Sequence, residues 1–153
     1  MVAKELIDTD KIAGSAGAIL LVEDNPDDVL ITRRAWKKGD IKNPLIVVDD
    51  GEKALKFLRK EGEYKNAPTP CLILLDLKMP RSDGFEVLET IKADDTMKII
   101  PVIVLTSSDR DLDIERAYQL GCNSYIVKPL SFENFVKAII EIEHYWLTIS
   151  ELP

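Results

Sequence analysis

The chain has 153 residues, and 20 Lys+Arg against 27 Asp+Glu give it a formal net charge of −7. With 46% hydrophobic and 31% charged residues it can bury the core of one domain with short extensions, which excludes wholesale disorder. Its apolar runs hold four or five residues, as in Ala18–Val22, Cys71–Leu75 and Val102–Leu105, where a membrane span needs roughly 20, so no membrane segment is expected.

Residues 1–17 are mixed and end in Gly14-Ser15-Ala16-Gly17, which predicts a flexible joint before a domain over 18–149 and a short tail at 150–153. Ala18–Val22 reads as a first strand. Asn25 can cap the helix that follows, Pro26–Lys38, with Pro26 at its first position and Gly39 at its end. Leu45–Val48 is a second strand. Asp49-Asp50-Gly51 is a turn, and the next helix sets Ala54, Leu55 and Leu58 on one face; residues 61–70, with Gly62, Pro68 and Pro70, form a loop. Cys71–Leu75 is a third strand ending at Asp76. After a loop at Lys78–Asp83, a helix from about Gly84 carries Val87, Leu88 and Ile91 at helical spacing. Val102–Leu105 is a fourth strand, followed by a helix with Ile114, Ala117 and Tyr118 inward and Gly121 as its stop. Ser124–Val127 is a fifth. Ser131 can cap the last helix, with the stripe Phe132, Phe135, Val136, Ile139 and Ile140.

Five short apolar strands alternating with five helices predict an α/β, doubly wound parallel sheet. In such sheets ligands bind outside the carboxyl ends of the strands. The first strand delivers Glu23-Asp24 there, the third Asp76, the fourth Thr106-Ser107 and the fifth Lys128-Pro129. Three carboxylates that close together repel one another unless a cation neutralises them, and an all-oxygen set favours a hard divalent ion, Mg²⁺ first. A carboxylate held on such an ion can attack phosphorus, while a lysine and a hydroxyl hold the remaining phosphoryl oxygens. The set suits transfer of a phosphoryl group onto an aspartate.

The segments LLVEDNPDD, LLDLKMPRSDGFEVL, PVIVLTSS and YIVKPL resemble the receiver domain of two-component response regulators, over Ala18 to about Trp146. The opening NPDD with ITRRAWKKG, and the longer 61–70 loop, are similar to the stand-alone receivers of the cyanobacterial phytochrome type. The resemblance implies a flavodoxin-like (CheY-like) fold with strand order 2-1-3-4-5. It implies that Asp76 accepts phosphoryl from a phosphohistidine on a sensor histidine kinase, phytochrome-like if the finer likeness holds. It assigns Mg²⁺ to Asp24 directly, to Glu23 mostly through water, to Asp76 and to the backbone carbonyl of Lys78. Lys128 would pair with the phosphoryl group, its bond to Pro129 resembling the family's cis peptide. Thr106 would swing its hydroxyl toward the new phosphoryl oxygen as the ring of Tyr125, at the aromatic switch position, turns inward. Lys78 and Ser108 fall where the family varies and where hydrolysis of the acyl phosphate is tuned; the small Ser107 leaves access to phosphodonors open.

Other readings compete. An aspartyl-nucleophile phosphohydrolase would carry DxD where Asp76-Leu77-Lys78 stands, so its general acid is missing. A pseudo-receiver scaffold would not need the full acid set. No G-x-G-x-x-G or Walker loop supports a nucleotide site. The expectation is thus a single-domain phosphoacceptor, not an enzyme beyond self-catalysed phosphotransfer and dephosphorylation. The acidic N-terminus, Glu5, Asp8 and Asp10, lacks a signal peptide's apolar stretch, which points to the cytoplasm. The acidic balance argues against nucleic acid as partner. Cys71 and Cys122 read as buried thiols and the lone His144 as an exposed helix residue. Late in the chain Ile142, Tyr145, Trp146 and Ile149 recur at helical spacing. They are covered by residues 1–17 or neighbouring loops, or they form a homodimer or partner surface.

Overall fold

The computed structural model describes residues 17–149. Five parallel strands form one sheet: β1 (Ile19–Val22), β2 (Leu45–Val48), β3 (Leu72–Leu75), β4 (Val102–Thr106) and β5 (Ser124–Val127). Their order across the sheet is β2-β1-β3-β4-β5. Helices α1 (Pro26–Lys38), α2 (Gly51–Arg59), α3 (Gly84–Ala93), α4 (Asp111–Gln119) and α5 (Phe132–Glu143) make the crossovers that parallel strands require. A π-helical stretch, His144–Ile149, extends α5.

The strands are apolar without interruption because both faces of the sheet are covered. Side chains alternate between the faces. Leu20, Val22, Ile73, Leu75, Val102 and Val104 pack with Phe57 of α2 and with Val87, Leu88 and Ile91 of α3. Ile19, Leu21, Leu72, Leu74, Ile103 and Leu105 face Ala35 and Trp36 of α1 and Phe135, Val136 and Ile139 of α5. The edge strands β2 and β5 are less deeply buried.

Local chemistry sets the helix ends. Asn25 caps α1 by accepting from the amides of Asp27 at 2.9 Å and Asp28 at 3.4 Å, with Pro26 next to it. Ser131 caps α5 through the Asn134 amide. Gly121 lies at φ +103°, a left-handed conformation that strains residues with a Cβ. After α1 that conformation falls on Asp40 rather than Gly39.

Several expectations need correction. Thr32 occupies a buried position on α1, which is why the helix lacks a clean apolar stripe; its hydroxyl is satisfied by the Asp28 carbonyl at 2.7 Å. In α2 Ala54 is fully buried as expected, but Phe57 shares its place in the core, and Leu55 and Leu58 are only partly covered. Ala117 is buried as expected, but Tyr118 is 50% exposed and α4 buries Asp113 as well. Phe132, at the first turn of α5, is 40% exposed rather than part of the buried stripe. The 61–70 loop contains a 3₁₀ turn at Gly62–Tyr64 whose Tyr64 ring packs edge-on against Phe57. The Lys78–Asp83 loop closes as a small antiparallel hairpin, Lys78–Met79 against Ser82–Asp83. Peptide bonds of the described residues are all trans, Lys128–Pro129 included; an X–Pro bond separates its two isomers by only about 0.5–1 kcal/mol.

Cys122 is buried and its thiol is pushed up to about 11 by that burial; Cys71 is partly covered, and both thiols are free. His144 is exposed, as expected. Ile142 is buried on the α1–α5 side, Trp146 is partly covered there and Tyr145 is 53% exposed. The side chain of Ile149, the joint at residues 14–16 and the tail lie outside the described residues. No helix among the described residues is long and apolar enough to cross a membrane.

Candidate functional site

β1, β3, β4 and β5 deliver polar residues to the same edge of the sheet, beyond their carboxyl ends. Glu23 and Asp24 follow β1, Asp76 follows β3, Thr106 ends β4 and Lys128 follows β5. One carboxylate oxygen each from Glu23, Asp24 and Asp76 lie within 4.8 Å of one another. Glu23 and Asp76 are nearly out of water, at 2% and 6% exposure; Asp24 is partly exposed.

The Lys128 ammonium sits among these acids. It binds Glu23 Oε1, Asp28 Oδ2 at 2.8 Å and Asp76 Oδ2 at 3.3 Å. Its own burial works against its charge, but the carboxylates of Asp76 and Glu23 and the bond to Asp28 outweigh that and hold it above the ordinary lysine range. Glu23 shows the opposite balance. Burial pushes its carboxyl up to about 7, against the pull of Lys128 and with the repulsion of Asp76. One ammonium does not neutralise this acid cluster. A hard, all-oxygen set with a carboxyl held up by burial fits a divalent cation of the Mg²⁺ class. Glu23, Asp24 and Asp76 could hold it.

The backbone pins the other side of Asp76. Its Oδ1 accepts the Lys78 amide at 3.1 Å. Gly84, the first residue of α3, packs against this loop so closely that a Cβ there would collide with Leu77 Cα and lie 2.6 Å from the Asp76 carbonyl oxygen. Its requirement is for space, not for a left-handed backbone.

Thr106 is fully buried, and its Oγ1 is the buried side-chain polar atom without a hydrogen-bond partner among the described residues. Such an atom costs about 1–3 kcal/mol, so a fold that keeps it invites an acceptor. Ser107 next to it is exposed. Tyr125 is half-buried on β5, and its hydroxyl donates to the Ser108 carbonyl at 2.9 Å.

Glu23, Asp24, Asp76 and Lys128 therefore converge as expected from the strand ends, with Thr106 closing β4 on the same edge. Two contributors escaped sequence reasoning. Asp28, in the first turn of α1, is a ligand to Lys128, and only its place three residues after the Asn25 cap could have hinted at it. Asp113 accepts from Ser108 Oγ at 2.5 Å and pairs with Lys78 Nζ at 3.2 Å, joining the two positions noted as variable.

The response regulator receiver domain family matches residues 19–140. Response regulator Rcp1 of Synechocystis sp. (strain ATCC 27184 / PCC 6803 / Kazusa) is 42% identical over 135 residues, covering 88% of this chain and 92% of that protein. The probable methanogenesis regulatory protein FilR2 of Methanothrix harundinacea (strain 6Ac) is 42% identical over 136 residues, covering 88% and 86%. Among solved structures, the phosphorylated cyanobacterial phytochrome response regulator RcpA superposes with a TM-score of 0.86 at 42% identity, over 90% of this chain and 99% of that one. The Mn²⁺-bound form of Rcp1 gives a TM-score of 0.84 with the same identity and coverage.

Proposed function

This chain belongs to the response regulator receiver domain family of two-component systems, and we propose that it takes a phosphoryl group from a sensor histidine kinase onto Asp76. The observation that carries the reading is the Lys128 ammonium held 3.3 Å from Asp76 Oδ2, in a cluster of buried acids beside an unpartnered Thr106 hydroxyl.

In the transfer an Asp76 carboxylate oxygen forms a bond to phosphorus. The P–N bond to the kinase's phosphohistidine breaks, and its electron pair stays on the imidazole nitrogen. Asp24, Asp76 and the Lys78 carbonyl, with Glu23 mostly through water, would hold a Mg²⁺ ion, which would supply positive charge against the incoming phosphoryl oxygens. Lys128 answers a further oxygen. The Lys78 amide holds Asp76 in place during the attack. Thr106 then gains the acceptor it lacks, and Tyr125 follows, turning its ring as the β4–α4 loop shifts.

Phosphorylation adds about −1.5 to −2 of charge. The output is a shift in population toward the closed arrangement of Thr106 and Lys128, read on the face formed by α4, β5 and α5. That face exposes Leu112, Tyr118, Val127, Leu130 and Phe132, and Tyr145 extends it. A protein partner or a second copy of the chain, meeting the C-terminal helix region, would dock there. A phytochrome-like kinase is the favoured donor, since the cyanobacterial phytochrome response regulator RcpA shares 42% identity with this chain. The compartment is the cytoplasm, where such kinases present their phosphohistidine. A net charge of −7 argues against nucleic acid as the direct readout.

The test is intact mass after incubation with Mg²⁺ and acetyl phosphate, beside Asp76→Asn. One added phosphoryl group, absent from the variant, is expected. No adduct, even with rapid quenching, together with no binding of beryllium fluoride, would leave the scaffold reading in its place.

A further inference from the structure

Lys78 is split between two tasks. Its backbone amide holds Asp76, but its ammonium pairs with Asp113 on α4. Asp113 is 8% exposed, and its Oδ2 receives both the Ser108 hydroxyl and the Lys78 ammonium. Arg110 is the other cation near it. The Ser108 hydroxyl first, and then Lys78, keep this carboxyl below the usual range, so it is a fixed anion at neutral pH.

The ammonium has room to be elsewhere. Lys78 and Asp113 line a groove of about 750 Å³, open to solvent, between the Lys78–Asp83 hairpin and α4. The Lys78 side chain is 45% exposed. A four-carbon stem on a half-exposed residue adjacent to the phosphoacceptor loop can reach either anion. What decides is the competing carboxylate.

We propose that Asp113 is a positioning residue for phosphoryl turnover, holding the Lys78 ammonium against α4 and Ser108 so that water keeps its path to a phosphoryl group on Asp76. The proposal rests on the phosphoacceptor reading above. In turnover, water's oxygen adds to phosphorus and the P–O bond to Asp76 breaks, its electron pair remaining on the carboxylate. One proton of that water stays on the released phosphate and the other goes to solvent. A Lys78 freed from Asp113 pairs with a phosphoryl oxygen and stands in the way of that water. The lifetime of the phosphorylated state is thus set from α4, on the output side of the molecule, through a residue that never touches the phosphoryl group.

The experiment loads the full chain with acetyl phosphate and Mg²⁺, removes the donor, and follows loss of the phosphoryl group by intact mass. Five proteins are compared: parent, Asp113→Asn, Asp113→Ala, Lys78→Met and the Asp113→Asn, Lys78→Met double variant. Asp113→Asn should lengthen the lifetime about 3- to 10-fold over the parent, and the same substitution in the Lys78→Met background should change it less than twofold relative to Lys78→Met. Asp113→Ala should lengthen it as Asp113→Asn does, which reads the proposal even if one of the two fails to fold. An unchanged or shortened lifetime in either Asp113 variant, or an equal change in both backgrounds, would overturn it. If the parent takes no phosphoryl group at all, the phosphoacceptor reading fails instead.

Discussion

Lys128 Nζ lies 3.3 Å from Asp76 Oδ2, joining residues 52 positions apart across the ends of two strands, β3 and β5, that are not neighbours in the sheet. The contact spans β4, whose last residue is Thr106. Any change in the charge on Asp76 is therefore felt at once on both sides of the unpartnered hydroxyl.

Removing the ammonium isolates buried acids. Lys128 is 8% exposed along its side chain, Glu23 2% and Asp76 7%. Breaking such a set from one side costs about 3 kcal/mol or more. Lys128→Met is expected to lower stability by that order in urea with EDTA, and Mg²⁺ should restore more of it than it adds to the parent. A loss below about 1 kcal/mol would show that the acids do not depend on this cation.

Gly84 makes the acceptor loop intolerant of a single methyl group. The Cβ of Gly84→Ala would meet Leu77 Cα and the Asp76 carbonyl, both main-chain atoms that cannot rotate away. Overpacking of this kind costs about 1–3 kcal/mol. The variant should unfold at lower denaturant and take up phosphoryl from acetyl phosphate more slowly than the parent. Normal uptake would mean that the loop moves without moving the acceptor.

A third expectation concerns acid. Asp94 accepts the amides of Thr96 at 2.8 Å and Met97 at 2.9 Å, Met97 contributing the larger share, which hold its carboxyl below the ordinary 3.8. The unfolded chain keeps the ordinary value. Above it, the stabilisation from Asp94 is present in full; as pH falls from there through the native value, the unfolded state takes the proton first and the stabilisation is lost. Asp94→Ala should melt earlier than the parent at pH 7, and the gap should narrow on going to pH 3. Melting curves that stay parallel across that range would reject the assignment.

The sheet and most of its acid edge were legible because they depend on local patterns. An apolar run that stops at Glu23, Asp76 or Lys128 marks a strand end, and the strand-end rule collects them. What escaped depends on packing between elements. Asp28 stands beside Asp27 in a polar helix turn, and nothing in that dipeptide says that one of them faces a lysine 100 residues later. On α4 the spacing set Ile114, Ala117 and Tyr118 inward; Ala117 is buried, yet the fold also buries Asp113 and leaves Tyr118 half in solvent. A carboxylate is a poor guess for a covered position, and becomes reasonable only once Ser108 and Lys78 are known to surround it. Lys78 and Ser108, each unremarkable alone, acquire meaning through that shared partner.

The orphaned hydroxyl of Thr106 has a thermodynamic corollary. A resting fold that leaves it unbonded forgoes about 1–3 kcal/mol, and each 1.4 kcal/mol is a factor of ten in an equilibrium between two arrangements. A newcomer that did nothing more than offer Oγ1 an oxygen would tilt that equilibrium by about 5- to 150-fold. On the proposed mechanism the molecule is in this sense spring-loaded: part of the free energy of the change would be stored in the unmodified protein, at one atom, before any signal arrives.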